Sequence, residues 1–309
     1  LNSVTINDPY ASLATTTGAT VTQIQFTAPT TVKAAVRCLA EAGKNAKVLA
    51  GGTDLLVQLR SGRVQPSAII DLKKIPELKQ IRAEKGGFRI GAAVSGAELS
   101  AHLAVKKAWP GLVEGLDLIG STQIQGRASL GGNLCNGSPA ADSVPGLIAA
   151  AATCKIAGPK GMREAKVESI VTGPGKTTIK KGEFVVSFFL PKRPKRSGDA
   201  YLRLIPRTEM DIAVVGAGVS LTLDKQGVCT DARVALCAVA PKPLLVKAGA
   251  KALIGTTVDA AALDALAGAA SAACNPIDDK RGTIVYRTKV AGVLARRAAL
   301  IALQRAKGN

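Results

Sequence analysis

The chain has 309 residues, 47% hydrophobic but only 3% aromatic, so its core must be built from Ala, Val, Leu and Ile, and its length allows two domains or three small ones. The net charge of +19 is spread along the chain with no aromatics interleaved for base stacking, which argues against a nucleic-acid module and leaves an acidic cofactor, an acidic partner or an anionic surface. The six cysteines show no CxxC spacing and sit among apolar residues, so no zinc or iron–sulfur site is expected on this chain, and with no signal core and no apolar run long enough to span a bilayer the expectation is a cytoplasmic protein without a transmembrane segment.

Residues 1–22 are polar and Thr-rich, with Leu1 where an initiator Met would stand; they read as an N-terminal arm, with further chain expected upstream. Residues 23–26 alternate as a strand does, and Thr30-Thr31 opens a helix in which Val32, Val36 and Leu39 recur at i, i+4, i+7 before Gly43 stops it. Lys47-Val48-Leu49-Ala50 is a short strand running into Gly51-Gly52, residues 54–59 make one or two helical turns, and 67–72 form the next strand, together a compact βαβ unit. A second part opens at Leu78, with a strand at 88–91 and helices at 96–105 and 109–118. The Ala-rich stretch after Ser143 is expected to be strand, and 183–190 a strand ended by Pro191. Pro191-Lys192-Arg193-Pro194-Lys195-Arg196 reads as a solvated linker at a domain boundary. Beyond it lie strands at 212–223 and 234–239 and helices at 248–253, 258–273 and 282–306, the last with Val290, Leu294, Ala298 and Ile301 on one face. The expected division is an arm at 1–22, subdomains at about 23–77 and 78–195, and a C-terminal domain at 200–309.

Two Gly-Gly loops about eighty residues apart, Gly51-Gly52-Thr53 and Gly131-Gly132-Asn133, carry most of the chemical information. Without Cβ atoms such loops bring backbone N–H groups close to a ligand, and a pair of them suits a diphosphate gripped from two sides. The first lacks the spacing and Lys of a nucleotide-hydrolysing loop, and a plain tight turn explains it equally well. The second adds Asn133, Asn136, Ser138 and Asp142, suited to phosphate, ribityl or ribose groups, with Asp142 better matched to sugar hydroxyls; an Asx-rich surface loop is the alternative. Gly216-Ala217-Gly218 is not a dinucleotide turn, because Ser220-Leu221-Thr222-Leu223 continues as strand. His102, the single histidine, reads as a packing or surface residue in a helix, and no catalytic constellation stands out. Arg203, Arg207, Glu209 and Asp211 form a polar cluster, either an inter-domain salt-bridge patch or a rim beside a bound ring system.

The runs Val48–Leu56, Ile70-Asp71-Leu72 with Ile75–Leu78, Ala128–Asn136 with Ser138–Asp142, Arg207–Ala213 and Tyr286–Arg297 resemble the FAD-binding medium subunit of the molybdenum hydroxylases, over roughly residues 23–306. The resemblance implies an α+β fold: a vanillyl-alcohol-oxidase-type (PCMH-type) FAD-binding domain of two subdomains, plus a smaller C-terminal α+β domain. It implies FAD held by Lys47, Val48, Leu49, Ala50, Gly51, Gly52, Thr53, Asp54 and Leu55 on one side. On the other it implies Ile119, Ala128, Ser129, Gly131, Gly132, Asn133, Cys135, Asn136, Ser138 and Asp142, with Val185, Val186, Arg203 and Ile212 near the rings. Ile212 stands where carbon monoxide dehydrogenases carry Tyr, and the cysteine-bearing 4Fe–4S insertion of 4-hydroxybenzoyl-CoA reductases is absent. The implied partners are a large subunit with the molybdenum cofactor, a small subunit with 2Fe–2S clusters and an external electron acceptor, assembled as a dimer of heterotrimers. The alternatives are a stand-alone FAD-dependent oxidase or reductase with the same type of domain, and a non-enzymatic basic interaction module.

Overall fold

The structure, a computed structural model, describes residues 23–308; the expected N-terminal arm lies outside the described residues. The first body is β1 (Gln25–Thr27), α1 (Val32–Glu41), β2 (Ala46–Leu49), α2 (Leu55–Arg60) and β3 (Ala68–Asp71). Its three strands are parallel in the order β1-β3-β2, so β2 is an edge and β3, buried at every position, is the centre. Thr31 starts α1 by accepting a hydrogen bond from the Ala34 N–H at 3.1 Å, and Val32, Ala35 and Leu39 turn inward onto Ile70, Ile75 and Leu78.

The second body contains β4 (Ile81–Glu84), β5 (Gly87–Gly91), α3 (Gly96–Ser100), α4 (Leu103–Ala108), α5 (Pro110–Asp117), α6 (Thr122–Gln125), α7 (Leu130–Cys135) and α8 (Ser143–Ala149). It continues with β6 (Thr153–Gly158), β7 (Gly161–Lys166), the short pair β8 (Val171–Gly173) and β9 (Lys176–Thr177), and β10 (Phe184–Pro191). Five strands form an antiparallel sheet in the order β4-β5-β10-β6-β7, whose central Phe188 shares one core with Leu112, Leu116, Leu130, Leu134 and Leu147 of the helices. The helix expected over 96–105 is two helices, because His102 caps α4: its Nδ1 accepts from the Val105 N–H at 3.3 Å. The Ala-rich stretch expected as strand is helix α8. All seven of its residues are buried, between α5 and the sheet of the third body, so it has no solvent face to print a helical period.

The third body is an antiparallel sheet of β11 (Ser197–Leu204), β12 (Val215–Leu223), β13 (Cys229–Cys237) and β14 (Leu244–Leu245), covered by α9 (Lys247–Leu253), α10 (Ala260–Ala272) and α11 (Ile284–Lys307). Gly216-Ala217-Gly218 lies inside β12, as the rejection of a dinucleotide turn requires. Helix α11 buries a small-residue stripe, Ala291, Ala295, Ala298 and Ala302, and approaches β11 so closely that a Cβ on Gly198 would lie 1.9 Å from the Ala302 carbonyl oxygen. The expected face had Ala298 and Leu294 in it, with Val290 and Ile301 only partly covered at its edges.

The basic run at 191–196 is a short, anchored crossing into β11. Arg193 is drawn inward by Asp199: its NH1 donates to the Asp199 carboxylate at 2.7 Å and its guanidinium lies 4.9 Å from the centre of the Trp109 ring. Asp199 also accepts from the Gly111 N–H at 2.8 Å, and the Tyr201 N–H donates to Glu114 at 2.9 Å. Alternate residues of β11 thus hold the third body onto α5 and α8 of the second.

Candidate functional site

Strand β2 ends beside the second body, and the chain turns out of the sheet through Ala50-Gly51-Gly52-Thr53. Gly51 has no room for a side chain, since a Cβ would meet the Arg127 carbonyl oxygen at 1.9 Å; Gly52 takes a φ of +85°, a left-handed conformation that glycine adopts freely. The loop therefore lies flat against the segment leading into α7. The N–H groups of Gly51, Gly52, Thr53 and Asp54 donate to no acceptor among the described residues, and all four residues line one cleft of about 490 Å³. Gly51, Gly52 and Thr53 are half-buried and Asp54 is exposed, and a run of main-chain N–H groups without acceptors in the chain is suited to an anion.

The opposite wall is α7. Ser129 caps it, accepting from the Gly132 N–H at 3.1 Å, and Gly131 donates to the Ala92 carbonyl at 3.1 Å, where a Cβ would approach that oxygen to 2.5 Å. Gly132 differs. A Cβ there meets only Ser129 Oγ at 3.4 Å, so packing within the chain does not require glycine; its bare face looks into the cleft. Asn133 Oδ1 accepts from both the N–H and the hydroxyl of Ser143, which fixes its side chain at the start of α8. The two loops are tied together: Asn136 Nδ2 donates to Asp54 at 3.1 Å, Gln58 Nε2 donates to Asn136 Oδ1 at 3.2 Å, and Arg127 Nε donates to the Gly51 carbonyl at 3.4 Å.

A third wall, Val185 apart, has no counterpart among the residues singled out from the sequence. Residues 177–185 cross the cleft, with Lys180, Lys181 and Gly182 preceding β10, and Lys44 joins them from the turn after α1. Glu183 anchors this crossing, accepting from Arg163 NH2 at 2.7 Å and from the Lys180 N–H at 2.8 Å. The Lys180-Lys181-Gly182 turn was the available signal. Lys44, Lys47, Lys180 and Lys181 surround the cleft with exposed positive charge, which raises the local concentration of an anionic ligand.

Most residues named from the sequence line this cleft: 47–55 apart from Leu49, with Ile119, Ala128, Ser129, Gly131, Gly132, Asn133, Cys135, Asn136 and Val185. Six lie outside its lining. Leu49 packs under Gly52, Val186 is in the core of the first body, and Ser138 Oγ accepts from the Ala140 N–H at 3.2 Å. Ile212 is exposed on the loop before β12. Asp142 and Arg203 bind each other at 2.9 Å at the junction with the third body, and the Tyr201 hydroxyl donates to the second Asp142 oxygen at 2.8 Å. Burial pushes the Asp142 carboxyl up from its ordinary pKa, against the opposing pull of Arg203 and Tyr201. Burial likewise raises Asp54. Of the polar cluster, Arg207 and Asp211 pair at 3.3 Å and Glu209 is exposed. His102 is elsewhere, packed edge-on against Phe88. Among the described residues no cluster of His, Cys, Asp and Glu is arranged to hold a metal ion, and no helix is long and apolar enough to cross a membrane.

Comparison with known proteins agrees with this geometry. The family model of the FAD binding domain in molybdopterin dehydrogenase matches residues 22–193, and that of the CO dehydrogenase flavoprotein C-terminal domain matches residues 200–302. The chain is 34% identical to the carbon monoxide dehydrogenase medium chain of Hydrogenophaga pseudoflava, over 89% of this chain and 96% of that one. It is 34% identical to the xanthine dehydrogenase FAD-binding subunit of Escherichia coli O157:H7, over 69% and 73% of the two chains. A solved structure of the Hydrogenophaga enzyme superposes with a TM-score of 0.87 over 91% of this chain and 97% of that chain, and quinoline 2-oxidoreductase from Pseudomonas putida 86 with 0.84 at 27% identity, over the same shares.

Proposed function

The chain belongs to the FAD-binding subunits of the molybdenum hydroxylases, and we propose that it takes electrons from 2Fe–2S clusters of a small partner chain onto FAD and passes them to an external acceptor. The substrate is oxidised on a large partner chain carrying the molybdenum cofactor, and the assembly is a cytoplasmic dimer of heterotrimers. FAD, when bound, supplies a centre that accepts electrons one at a time and releases them as a pair.

The observation that carries this reading is the row of four residues, Gly51, Gly52, Thr53 and Asp54, whose N–H groups find no acceptor among the described residues and which line the same cleft as the bare Gly132. A diphosphate has the charge and acceptor oxygens that such a row lacks within the chain. The residues therefore fit FAD. The first loop would hold the phosphates by main-chain donors, α7 would close on them through Gly132 and Asn133, and the lysine rim would draw the anion in. Asp142 and Arg203, already paired outside the cleft lining, would brace the junction of the second and third bodies. Loop and rim exclude water from the phosphates, and the chain itself needs no acid or base.

Co-purification with the two expected chains, followed by flavin and metal analysis, tests this. A complex stripped of flavin should still reduce its iron–sulfur clusters when given carbon monoxide, xanthine or an N-heteroaromatic probe, yet pass nothing to an acceptor until FAD is restored. A colourless chain, or an isolated chain that turns over an organic substrate without partners, would defeat the reading. The stand-alone oxidase gains no support from His102, which caps α4 outside the cleft and offers no tether for a flavin.

A further inference from the structure

We propose that Lys73 and Arg127 are positioning residues for the first glycine loop, each clamping one carbonyl so that the N–H of the same peptide is turned the other way; the proposal deepens the function inferred above and rests on it. Neither side chain lines the cleft, so neither would touch the ligand. Their action passes through the backbone of residues 50–52. Three successive peptides there are held by their oxygens. The Ala50 carbonyl accepts from Lys73 Nζ at 3.0 Å, the Gly51 carbonyl from Arg127 Nε at 3.4 Å, and the Gly52 carbonyl from the Leu56 N–H at 3.0 Å as α2 begins.

All three peptides are trans. In a planar trans peptide the C=O and the N–H point in opposite directions, so an oxygen fixed on one side fixes the hydrogen on the other. The three anchors therefore orient the N–H groups of Gly51, Gly52 and Thr53, which have no acceptor among the described residues. The anchors stand where the backbone is loosest. Glycine at 51 and 52 lets the peptides between them rotate at little cost, and Gly52 already takes a φ of +85°. A peptide that rolled over would put its oxygen where its N–H had been, and a carbonyl oxygen repels phosphate. The third peptide is secured by the start of α2; the first two precede the helix, and side chains supply their donors.

Lys73 is itself held in place. Asp71, at the end of the central strand β3 with its side chain 12% exposed, accepts from the Lys73 N–H at 3.0 Å and from Lys73 Nζ at 2.7 Å. The ammonium is thus seated against the Ala50 carbonyl before any ligand arrives, and a charged donor makes the stronger kind of hydrogen bond. Arg127 comes from the second body, where its own carbonyl oxygen lies 1.9 Å from the position of a Cβ on Gly51. Backbone and side chain of one residue therefore bear on Gly51 together. One clamp belongs to each body, so the loop is aimed by the same contact that closes the cleft.

Fluorescence titration of the flavin-free full chain with FAD tests this. Lys73→Met keeps an unbranched side chain and removes the donor, and its FAD dissociation constant should rise about tenfold. Lys73→Arg retains a cationic donor and should bind within about threefold of the unaltered chain. Arg127→Met removes the second clamp from an exposed residue and should weaken FAD about three- to tenfold; it carries the test by itself where Lys73→Met does not fold. Val32→Ala thins the core of the first body outside the cleft lining and should leave FAD affinity unchanged. Normal FAD binding by Lys73→Met or by Arg127→Met would overturn the proposal. So would a Lys73→Arg chain as weak as Lys73→Met, or a Val32→Ala chain as weak as either, since both would make the loss one of general stability. An unaltered chain that binds no FAD would refute the functional reading itself, an outcome distinct from a clamp variant that binds normally.

Discussion

Asn136 donates from Nδ2 to the Asp54 carboxylate at 3.1 Å, a bond between residues 82 apart that closes one glycine loop against the other. Asp54 is also one of the four cleft-lining residues whose N–H groups find no acceptor among the described residues, so its carboxylate stands beside the proposed diphosphate seat. Burial already holds its carboxyl above the ordinary pKa, and a diphosphate would oppose the charge further. Asp54→Asn keeps an oxygen for Asn136 and removes the charge. Fluorescence titration with FAD should find binding about three- to tenfold tighter at neutral pH. Wild-type affinity should rise as pH falls through the raised Asp54 pKa, with the variant flat over the same range. Weaker binding by the variant at every pH would mean that the carboxylate holds the ligand.

Gly51 and Gly132 should respond oppositely to the same change. Gly51→Ala drives a Cβ into the Arg127 backbone, which forces the loops apart; roughly 2 kcal/mol of stability and FAD binding should be lost together. Gly132→Ala places its methyl in a helix with only Ser129 Oγ at 3.4 Å, so the flavin-free chain should gain about 0.5–1 kcal/mol. FAD affinity should nonetheless fall, because the methyl occupies the cleft. Paired melts with and without FAD check both. A Gly132→Ala chain that binds FAD normally would place the diphosphate elsewhere.

What could be read in advance, and what could not, follows from where each signal lives. The β1-β3-β2 unit and the glycine loops are local: alternation, caps and turn residues mark them directly. Helix α8 is covered on every side, so Ser143–Ala149 has no polar face and its apolar run resembled strand. Strand β11 was missed for a related reason, since Asp199, Tyr201 and Arg203 point into a buried polar junction, reversing the usual alternation. The cleft wall at 177–185 arises only when the β8–β9 hairpin meets the turn after α7, where the Gly175 N–H donates to the Gly137 carbonyl at 3.0 Å. That contact is tertiary and leaves no spacing in the chain.

Asp142, Tyr201 and Arg203 should separate a buried charge from a buried hydrogen bond. The Arg203 and Asp142 side chains are 2% and 9% exposed, and Arg203→Ala strands the buried carboxylate; about 3–5 kcal/mol of stability should be lost. Tyr201→Phe removes one donor to Asp142 and should cost about 1–2 kcal/mol. Urea denaturation of the flavin-free chains measures both. Equal losses would mean that Arg203 contributes no more than a neutral donor.

Asp199 sets a pH dependence of opposite sign to that of an ordinary ion-paired carboxylate. Burial pushes its pKa up to about 6, and the Arg193 guanidinium and the Gly111 N–H only partly offset this. Between its unfolded value of 3.8 and about 6 the folded chain therefore binds the extra proton, so stability falls as pH rises through that window and is level above it. The expected span is about 2–3 kcal/mol. Other carboxyls, such as Glu183 beside Arg163, have lowered pKa values and slope the other way, so the contribution is read as a difference. Asp199→Asn should be less stable overall, because its NH2 replaces one of the two oxygens that accept from Arg193 and the Gly111 N–H, but its deficit relative to the unaltered chain should be greatest near pH 4 and shrink toward pH 6. Urea midpoints at half-unit pH steps, compared between the two chains, give the result directly. A deficit that grows across that window would mean that Asp199 is ionised in the fold throughout, and that the junction of the second and third bodies is held by a full ion pair.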